Sequence, residues 1–220
     1  MSPASIFITI GVAFCHLLVA TASPEQQSSQ LARRSSSDPD PALRASFITP
    51  KNIIFEDGGI RVFNLNSQEA YKVTHHIDNA RQGYSEYVTT DVAGNVLLRM
   101  NAYDDFCFGK THYVDQHDLL RVKIDPRGMY PDEWTFTSRF LPGFKYEFDR
   151  NAMSADGKIF EADNKKLVAT LHTEKRHEPW LLSRFHADDA YVLRSDGTVP
   201  DYYLVTLMAL VQMRVNTCGI

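Results

Sequence analysis

The sequence predicts a mainly β domain, an antiparallel barrel of about twelve strands around one hydrophobic C-terminal helix. From residue 47 onward, short segments that alternate apolar and polar residues are separated by turn residues. That pattern stops near residue 201, and residues 202–215 are apolar on every helical face, as in a helix that is buried all round. A sheet wrapped around this helix would bury it, and closing the sheet would remove its exposed strand edges.

The predicted strands share short length and turn residues at their ends. In the strand at 69–77, Tyr71, Val73, His75 and Ile77 share one face. The loop 91–95 is a hairpin connection with Gly94 and Asn95 where a positive φ is needed. The strand segments are 53–55, 60–64, 69–77, 84–90, 96–101, 110–114, 119–125, 133–140, 144–148, 158–160, 167–173, 180–185 and 190–193.

The terminal helix at 202–215 is predicted to be the core of the domain. At 1.5 Å per residue it is roughly 20 Å long, whereas a bilayer core needs about 30 Å, so a protein core fits better than a membrane span. Pro200 breaks the preceding segment, and Asp201 supplies a carboxylate that is expected to cap the first turn. The residues expected in the core are Tyr203, Leu204, Leu207, Met208, Leu210 and Val211.

The first 46 residues differ in composition from the rest of the chain. Residues 1–22 contain an apolar run and end in the small-residue pattern Ala20-Thr21-Ala22, which indicates a cleaved secretory signal; a membrane anchor is the alternative. Residues 23–46 are rich in Ser, Gln, Pro and Asp and are expected to be a disordered linker or pro-segment. Arg33-Arg34 within it is either a processing site or two solvated charges. Residues 47–220 are then the barrel domain.

Charge and cysteine content limit the function classes. The 220 residues carry a net charge of −4, which argues against nucleic acid as the main partner. Once the predicted signal is removed with Cys15, two cysteines remain, Cys107 and Cys218. They are either a disulfide of an oxidising compartment or two unpaired buried thiols.

Four segments resemble a known family. They are "TTDVAGNVLLRM" at 89–100, "YVDQHDLLRVKI" at 113–124, "EWTFTSRF" at 133–140 and "GTVPDYYLVTLMALVQM" at 197–213. Together they are similar to the tubby C-terminal-like superfamily, particularly its LURP-one-related branch; the superfamily also holds the phospholipid scramblases. The resemblance implies a twelve-stranded antiparallel barrel closed around a hydrophobic C-terminal helix over residues 47–215. The chain departs from the family in its secretion signal, because the superfamily's members are mostly intracellular.

No catalytic, cofactor or metal residue is assigned. His112, Asp115, His117 and Asp118 are ligand types that suit a divalent metal ion. The resemblance instead puts Asp115 in a strand-to-strand turn, where it forms the turn. The neighbours His75 and His76 point to opposite faces of a strand, so we expect one core and one surface histidine.

Catalytic motifs are equally sparse. The sequence has no Gly-x-Ser-x-Gly elbow, no Gly-rich phosphate loop and no His-Glu-x-x-His. A thiol catalyst at Cys107 is disfavoured by its bulky apolar neighbours Phe106 and Phe108. These observations favour a non-enzymatic protein.

Basic residues concentrate between residues 144 and 177. The resemblance gives them a role, because tubby-like barrels bind phosphoinositide head groups through basic strand residues. The alternative is ordinary solvated charge, since Glu and Asp are interspersed. The candidate lipid- or partner-binding residues are Lys145, Arg150, Lys158, Lys165, Lys166, Lys175 and Arg176.

The sequence therefore predicts a secreted, monomeric, non-enzymatic barrel that binds a protein partner or an anionic membrane surface. Secretion of an otherwise intracellular fold indicates export toward a host, as for an effector. An extracellular, lipocalin-like carrier of a small apolar ligand is the first alternative. A filled lumen would leave no cavity for that ligand. A hydrolase or scramblase-type activity is the second.

Overall fold

The computed structural model describes residues 43, 45–51, 59–79, 81–117, 119–127, 130–185 and 189–219. The predicted signal and most of the predicted linker lie outside the described residues, as does the predicted strand at 53–55. The described residues belong to one compact unit, Asp40–Ile220.

Within the described residues, twelve strands form a closed antiparallel barrel, which confirms the predicted fold class. Each strand pairs with its neighbours in sequence, and the last strand pairs with the first. The strands are β1 Ala45–Pro50, β2 Gly59–Asn64, β3 Glu69–Asn79, β4 Tyr84–Asp91, β5 Val96–Ala102, β6 Thr111–Asp115, β7 Leu120–Arg127, β8 Tyr130–Ser138, β9 Lys145–Arg150, β10 Gly157–Glu161, β11 Leu167–Lys175 and β12 Asp189–Ser195.

Side-chain alternation and turn chemistry explain the strands and their register. In β9, Tyr146 and Phe148 are buried in the barrel core while Lys145 stays exposed. The β4–β5 turn contains Gly94 with a φ of 85°, a conformation that glycine adopts without steric cost. Asn95 does not need a positive φ, contrary to the prediction; its side chain donates to the Asp91 carboxylate at 2.8 Å.

The terminal helix, α2 in chain order, spans Asp201–Cys218 and occupies the lumen. Leu204, Leu207, Met208, Leu210 and Val211 are buried, and Tyr203 packs against the same core while partly exposed. None of the helices in the described part of the chain has the length and apolar character needed to cross a bilayer.

Two details of α2 differ from the prediction. The N-cap residue is Pro200, and no side chain caps the helix; Asp201 lies in the first turn, where burial raises the pKa of its carboxyl. The helix is also not purely apolar, because Thr206, Gln212 and Arg214 are buried. The hydroxyl of Thr206 forms a hydrogen bond with the hydroxyl of Thr89 in β4 at 2.5 Å, so Thr206 lies in the core without an unpaired polar group.

The segment predicted as a strand at 180–185 is instead helix α1, Pro179–Phe185. It lies outside the barrel, where Leu181 and Trp180 pack on Ile48 of β1 and on Ala190 and Val192 of β12. A short apolar run has no periodicity that separates a strand from a buried helix, which explains the wrong assignment. The sequence did not predict strand β1. The expected count of about twelve strands is right, although the individual strands differ from those predicted.

The lumen is filled around the first turns of α2. The cavity there has a volume of about 20 Å³ and is lined by apolar residues such as Met100, Phe136 and Leu207. A single water needs about 10–15 Å³ on this measure, whereas ligand pockets measure about 300–1,000 Å³. This part of the lumen therefore has no room for the ligand of a lipocalin-like carrier.

We expect Leu207→Ala and Leu210→Ala each to lower the free energy of unfolding by about 2–5 kcal/mol, because each removes apolar contacts and leaves a cavity. Urea denaturation of the two variants measures the change. The matched control is Leu65→Ala in the β2–β3 turn; Leu65 is 54% exposed, and its loss should change stability by less than about 0.5 kcal/mol. A chain lacking residues 202–220 that stayed soluble and cooperatively folded would contradict the central role of α2.

Candidate functional site

The most distinctive surface lies at the barrel end where α2 terminates. Residues 103–110, between β5 and β6, cross this end, and we call them the clamp loop. The last turn of α2 and the β3–β4 turn meet the clamp loop there, as contacts from Cys218 and Gly83 show. We call this the clamp end and the other the opposite end.

A disulfide joins the clamp loop to the helix. Cys107 of the loop is bonded to Cys218 in the last turn of α2; the two Cα atoms are 5.2 Å apart, and the two positions are 111 apart in sequence. Both sulfurs are therefore engaged, and Cys107 is not a free thiol. In the chain-entropy model a loop of this length contributes up to about 4–5 kcal/mol to stability.

A buried arginine holds the same loop one helical turn earlier. The guanidinium of Arg214, only 5% exposed, donates from Nη2 to the carbonyl oxygens of Phe106 at 3.2 Å and Cys107 at 3.3 Å. Its charge is balanced by Asp105 and Asp132, each with a carboxylate oxygen 3.5 Å from a guanidinium nitrogen. Sequence analysis missed this residue; the available signal was the one charged residue in segment 202–218, four residues before a cysteine.

The two ends of the clamp loop are anchored separately. At the first end, the Asp105 amide donates to the Gly83 carbonyl at 2.9 Å, and the Ser85 hydroxyl donates to the Asp105 carboxylate at 2.7 Å. At the second, the Thr111 hydroxyl donates to the Asp104 carbonyl at 2.9 Å. Gly83 has a φ of 66°, and a Cβ there would lie 2.7 Å from the Asp105 amide nitrogen, so the contact requires glycine.

Aromatic and aliphatic side chains are exposed around this loop. Phe108 is 96% exposed, and Tyr103, Phe106 and Ile77 are each about half exposed. Tyr103 packs edge-to-face on Tyr84 of β4, with ring centroids 5.3 Å apart. We call these five residues the aromatic surface. Exposed apolar groups gathered in one place mark interaction sites, and aromatic residues are enriched in interface cores.

A cavity of about 180 Å³ lies beneath the aromatic surface. His75, Tyr87, Tyr113 and Arg214 line it, and the disulfide forms part of its wall. Burial raises the pKa of Tyr87 and Tyr113 and lowers the pKa of His75, so all three are neutral at pH 7. His75 stacks on Tyr87 with ring centroids 4.4 Å apart, which makes it a packing residue, while His76 is exposed as predicted.

A second cavity of about 350 Å³ is large enough for a small ligand. Its lining is mixed, with the polar residues Lys51, Ser154, Thr173, Gln212 and Asn216 beside the apolar residues Met153, Ala155 and Val215. The carrier alternative stays a prediction.

The seven candidate basic residues do not form one surface. Lys145, Lys165 and Lys166 lie at the opposite end, whereas Lys175 and Arg176 lie about 30 Å away at the other end of β11, at about 3.3 Å per residue. These residues are close together in sequence, but the length of β11 separates Lys165 and Lys166 from Lys175 and Arg176 in space.

Acidic neighbours accompany most of these cations. Lys166 pairs with Asp196 at 2.9 Å, and Lys165 pairs with Glu147. Of the others, Arg176 is held between Glu174 and Glu178, Lys158 lies opposite Asp149 in the ladder, and Arg150 is buried, where it donates to the Ser154 carbonyl. This arrangement matches the alternative of interspersed surface charge, and the lipid-binding role of these residues stays a prediction.

The predicted metal ligands do not converge. Asp115 accepts hydrogen bonds from the backbone amides of Leu119 and Leu120, at 2.5 and 3.1 Å, and so forms the β6–β7 turn. His112 is exposed on β6, and Asp118 lies outside the described residues. Among the residues that the structure describes, no three His, Cys, Asp or Glu side chains are placed to hold a metal ion.

Comparison with known proteins finds a weak structural similarity. No protein-family model matches the chain, and no curated protein matches it. A crystal structure of a protein from Arabidopsis thaliana aligns with 78% of this chain and 91% of its own, at 12% sequence identity and a TM-score of 0.48. At that identity and score, nothing about this chain's function is taken from it.

We expect Arg214→Met to destabilise the protein by about 3–5 kcal/mol, because it leaves two partly buried carboxylates and two loop carbonyls without their cation. Chemical denaturation measures the change. The matched control is Arg99→Met, whose ion pair with Glu86 is partly exposed and should contribute no more than about 1 kcal/mol. Equal stability of the two variants would show that Arg214 does not hold the clamp loop.

Proposed function

We propose that this chain is a secreted, non-enzymatic binding protein that recognises a protein partner through the aromatic surface at its clamp end. The observation that carries the proposal is the exposure of Phe108, Phe106 and Tyr103 on a loop that a disulfide and a buried arginine hold in place. Exposed aromatics on a fixed backbone lose little conformational entropy on binding, which is what interface hot spots require.

A protein partner is favoured over an anionic membrane by the charges nearby. Around the clamp loop, Lys110 is paired with Asp125 at 3.1 Å, and Arg214 is buried against two carboxylates. Adsorption to anionic lipid depends on excess positive charge at the surface. The acidic neighbours of Lys158, Lys165, Lys166 and Arg176 also reduce the excess positive charge available to an anionic membrane.

Family membership and secretion are part of the proposal. The closed barrel around α2 is the architecture that the resemblance to the tubby-like superfamily and its LURP-one-related branch implies. The disulfide between Cys107 and Cys218 supports an oxidising, extracellular compartment, because such bonds persist there and are rare in the cytosol. With the signal-like residues 1–22, this favours an exported protein that acts on a host.

For secretion, we expect N-terminal sequencing of protein collected from culture medium to begin at Ser23, or at Ser35 if the Arg33-Arg34 site is cut. The reason is that the small-residue pattern ending at Ala22 matches a signal-peptidase site. A secreted product that retained residues 6–20 would contradict a cleaved signal.

For binding, we expect the photo-crosslinking residue p-benzoylphenylalanine in place of Phe108 to capture discrete protein adducts from host extract and extracellular fluid. Excess wild-type protein should compete for these adducts, and the double variant Phe106→Ala, Phe108→Ala should compete about tenfold less well, as for loss of a hot-spot aromatic. Mass spectrometry of the adducts identifies the partner.

The matched control places the same crosslinker at Phe140. This residue is 68% exposed in the β8–β9 turn, and the adjoining Phe144 contacts Tyr203 in the first turn of α2, which places it at the opposite end. Equal, competition-resistant capture from both positions would show that the aromatic surface is not the binding site. Capture of lipid alone at Phe108 would favour the membrane alternative.

A further inference from the structure

We infer that the Cys107–Cys218 disulfide is a redox switch on the aromatic surface: reduction by a small cellular thiol releases residues 106–110 and weakens partner binding. The inference rests on the proposed function, because it concerns the regulation of that same surface. It also makes a statement about the loop alone, which is testable without a partner.

The contacts of the clamp loop divide it into anchored ends and a tethered middle. Asp105 is hydrogen-bonded to Gly83 and Ser85, and Thr111 lies in β6. Both ends of the clamp loop are therefore expected to stay in place whether the disulfide is oxidised or reduced. Between them, the contacts from α2 are the disulfide itself and the Arg214 hydrogen bonds to two carbonyls, at 3.2 and 3.3 Å. The disulfide is a covalent link to the backbone of the loop, whereas the Arg214 contacts are two hydrogen bonds to neutral carbonyls, so the disulfide is the main tether.

The tethered middle of the clamp loop carries exposed aromatic side chains of the proposed binding surface. Phe106 and Phe108 lie on either side of Cys107, and Phe108 has almost no packing of its own. Once the disulfide opens, the backbone around Cys107 gains conformations, and the two rings are no longer presented in one arrangement. Binding must then order them again, which lowers affinity without removing any contact residue.

A small thiol has access to the bond. Cys107 and Cys218 are both partly exposed, and both line the 180 Å³ cavity at the clamp end. The strand ladders that close the barrel do not include either cysteine. Opening the bond is therefore expected to act on the loop and the last turn of α2, with the barrel left closed.

The reaction is an ordinary thiol–disulfide exchange with glutathione as the reductant. One glutathione thiolate attacks a protein sulfur, forms a mixed disulfide and releases the other protein sulfur as a thiolate, which takes up a proton. A second glutathione attacks the mixed disulfide, giving the second protein thiol and oxidised glutathione. Two electrons pass to the protein, and two glutathione molecules are oxidised to one disulfide.

The direction of the switch follows from the compartments. The oxidised, binding-competent loop belongs to the extracellular space, and the released loop to the reducing cytosol. A partner captured outside a cell would be released after entry. The structure thus assigns the aromatic surface to extracellular binding.

Limited proteolysis by chymotrypsin, which cuts after aromatic residues, tests the switch on the secreted mature protein. With reduced glutathione present, we expect cleavage after Phe106 or Phe108 to accelerate about tenfold or more, because local opening exposes backbone to the protease. Cleavage after Phe140, at the opposite end, is the internal control and should not change. The double variant Cys107→Ser, Cys218→Ser should be cut rapidly with or without glutathione.

Two outcomes overturn the inference. Unchanged cleavage at Phe106 and Phe108 in protein shown by mass to be fully reduced would mean that Arg214 and the anchors hold the loop without the disulfide. Faster cleavage at Phe140 as well, together with a loss of the cooperative thermal transition, would mean that the bond stabilises the whole barrel and is not a local clamp.

The two proposals fail separately. With the Phe108 crosslinker, reduction should lower adduct yield if both hold. Adducts that form equally in oxidised and reduced protein would overturn the switch and leave the binding surface in place. No competable adduct in oxidised protein would overturn the binding surface, while the proteolysis result still decides whether the loop is redox-controlled.

Discussion

The structure depends on the burial of α2, a helix whose central residues have no face suited to water. Leu204 to Val211 are buried without a break, so the barrel has to surround them, and twelve strands make a ring wide enough to do so. The same burial fixes where function can lie. Because the lumen is occupied by α2, recognition is left to the two ends and the outer wall.

The two ends of α2 meet the barrel differently. The first turns pack in an apolar environment, with Phe144 against Tyr203. The last turns carry Gln212 and Arg214 and end in the disulfide at Cys218. Polar anchoring is thus concentrated at the end where the aromatic side chains are exposed. A rigid base beneath exposed aromatics is the arrangement expected of a binding surface.

Much of the fold follows from local pattern, whereas the candidate site does not. The helix and most strands were predictable because burial imposes period 3.6 or 2 on the residues themselves. Helix α1 was not, because its Trp180 and Leu181 cover the outside of the β1–β12 seam, a surface that exists only after closure. Arg214 contacts Phe106 and Cys107 across more than 100 residues, and no local pattern in the sequence indicates that contact.

Closure between β1 and β12 has a consequence for biogenesis. Ala45 pairs with Ser195, so the seam joins strands 150 residues apart, and the helix that fills the barrel follows the last strand. During synthesis, the early strands have neither their closing partner nor their core until β12 and α2 have been made. The barrel should therefore stay unfolded until residues 189–218 are available, a state compatible with the passage through a translocation channel that the proposed secretion requires.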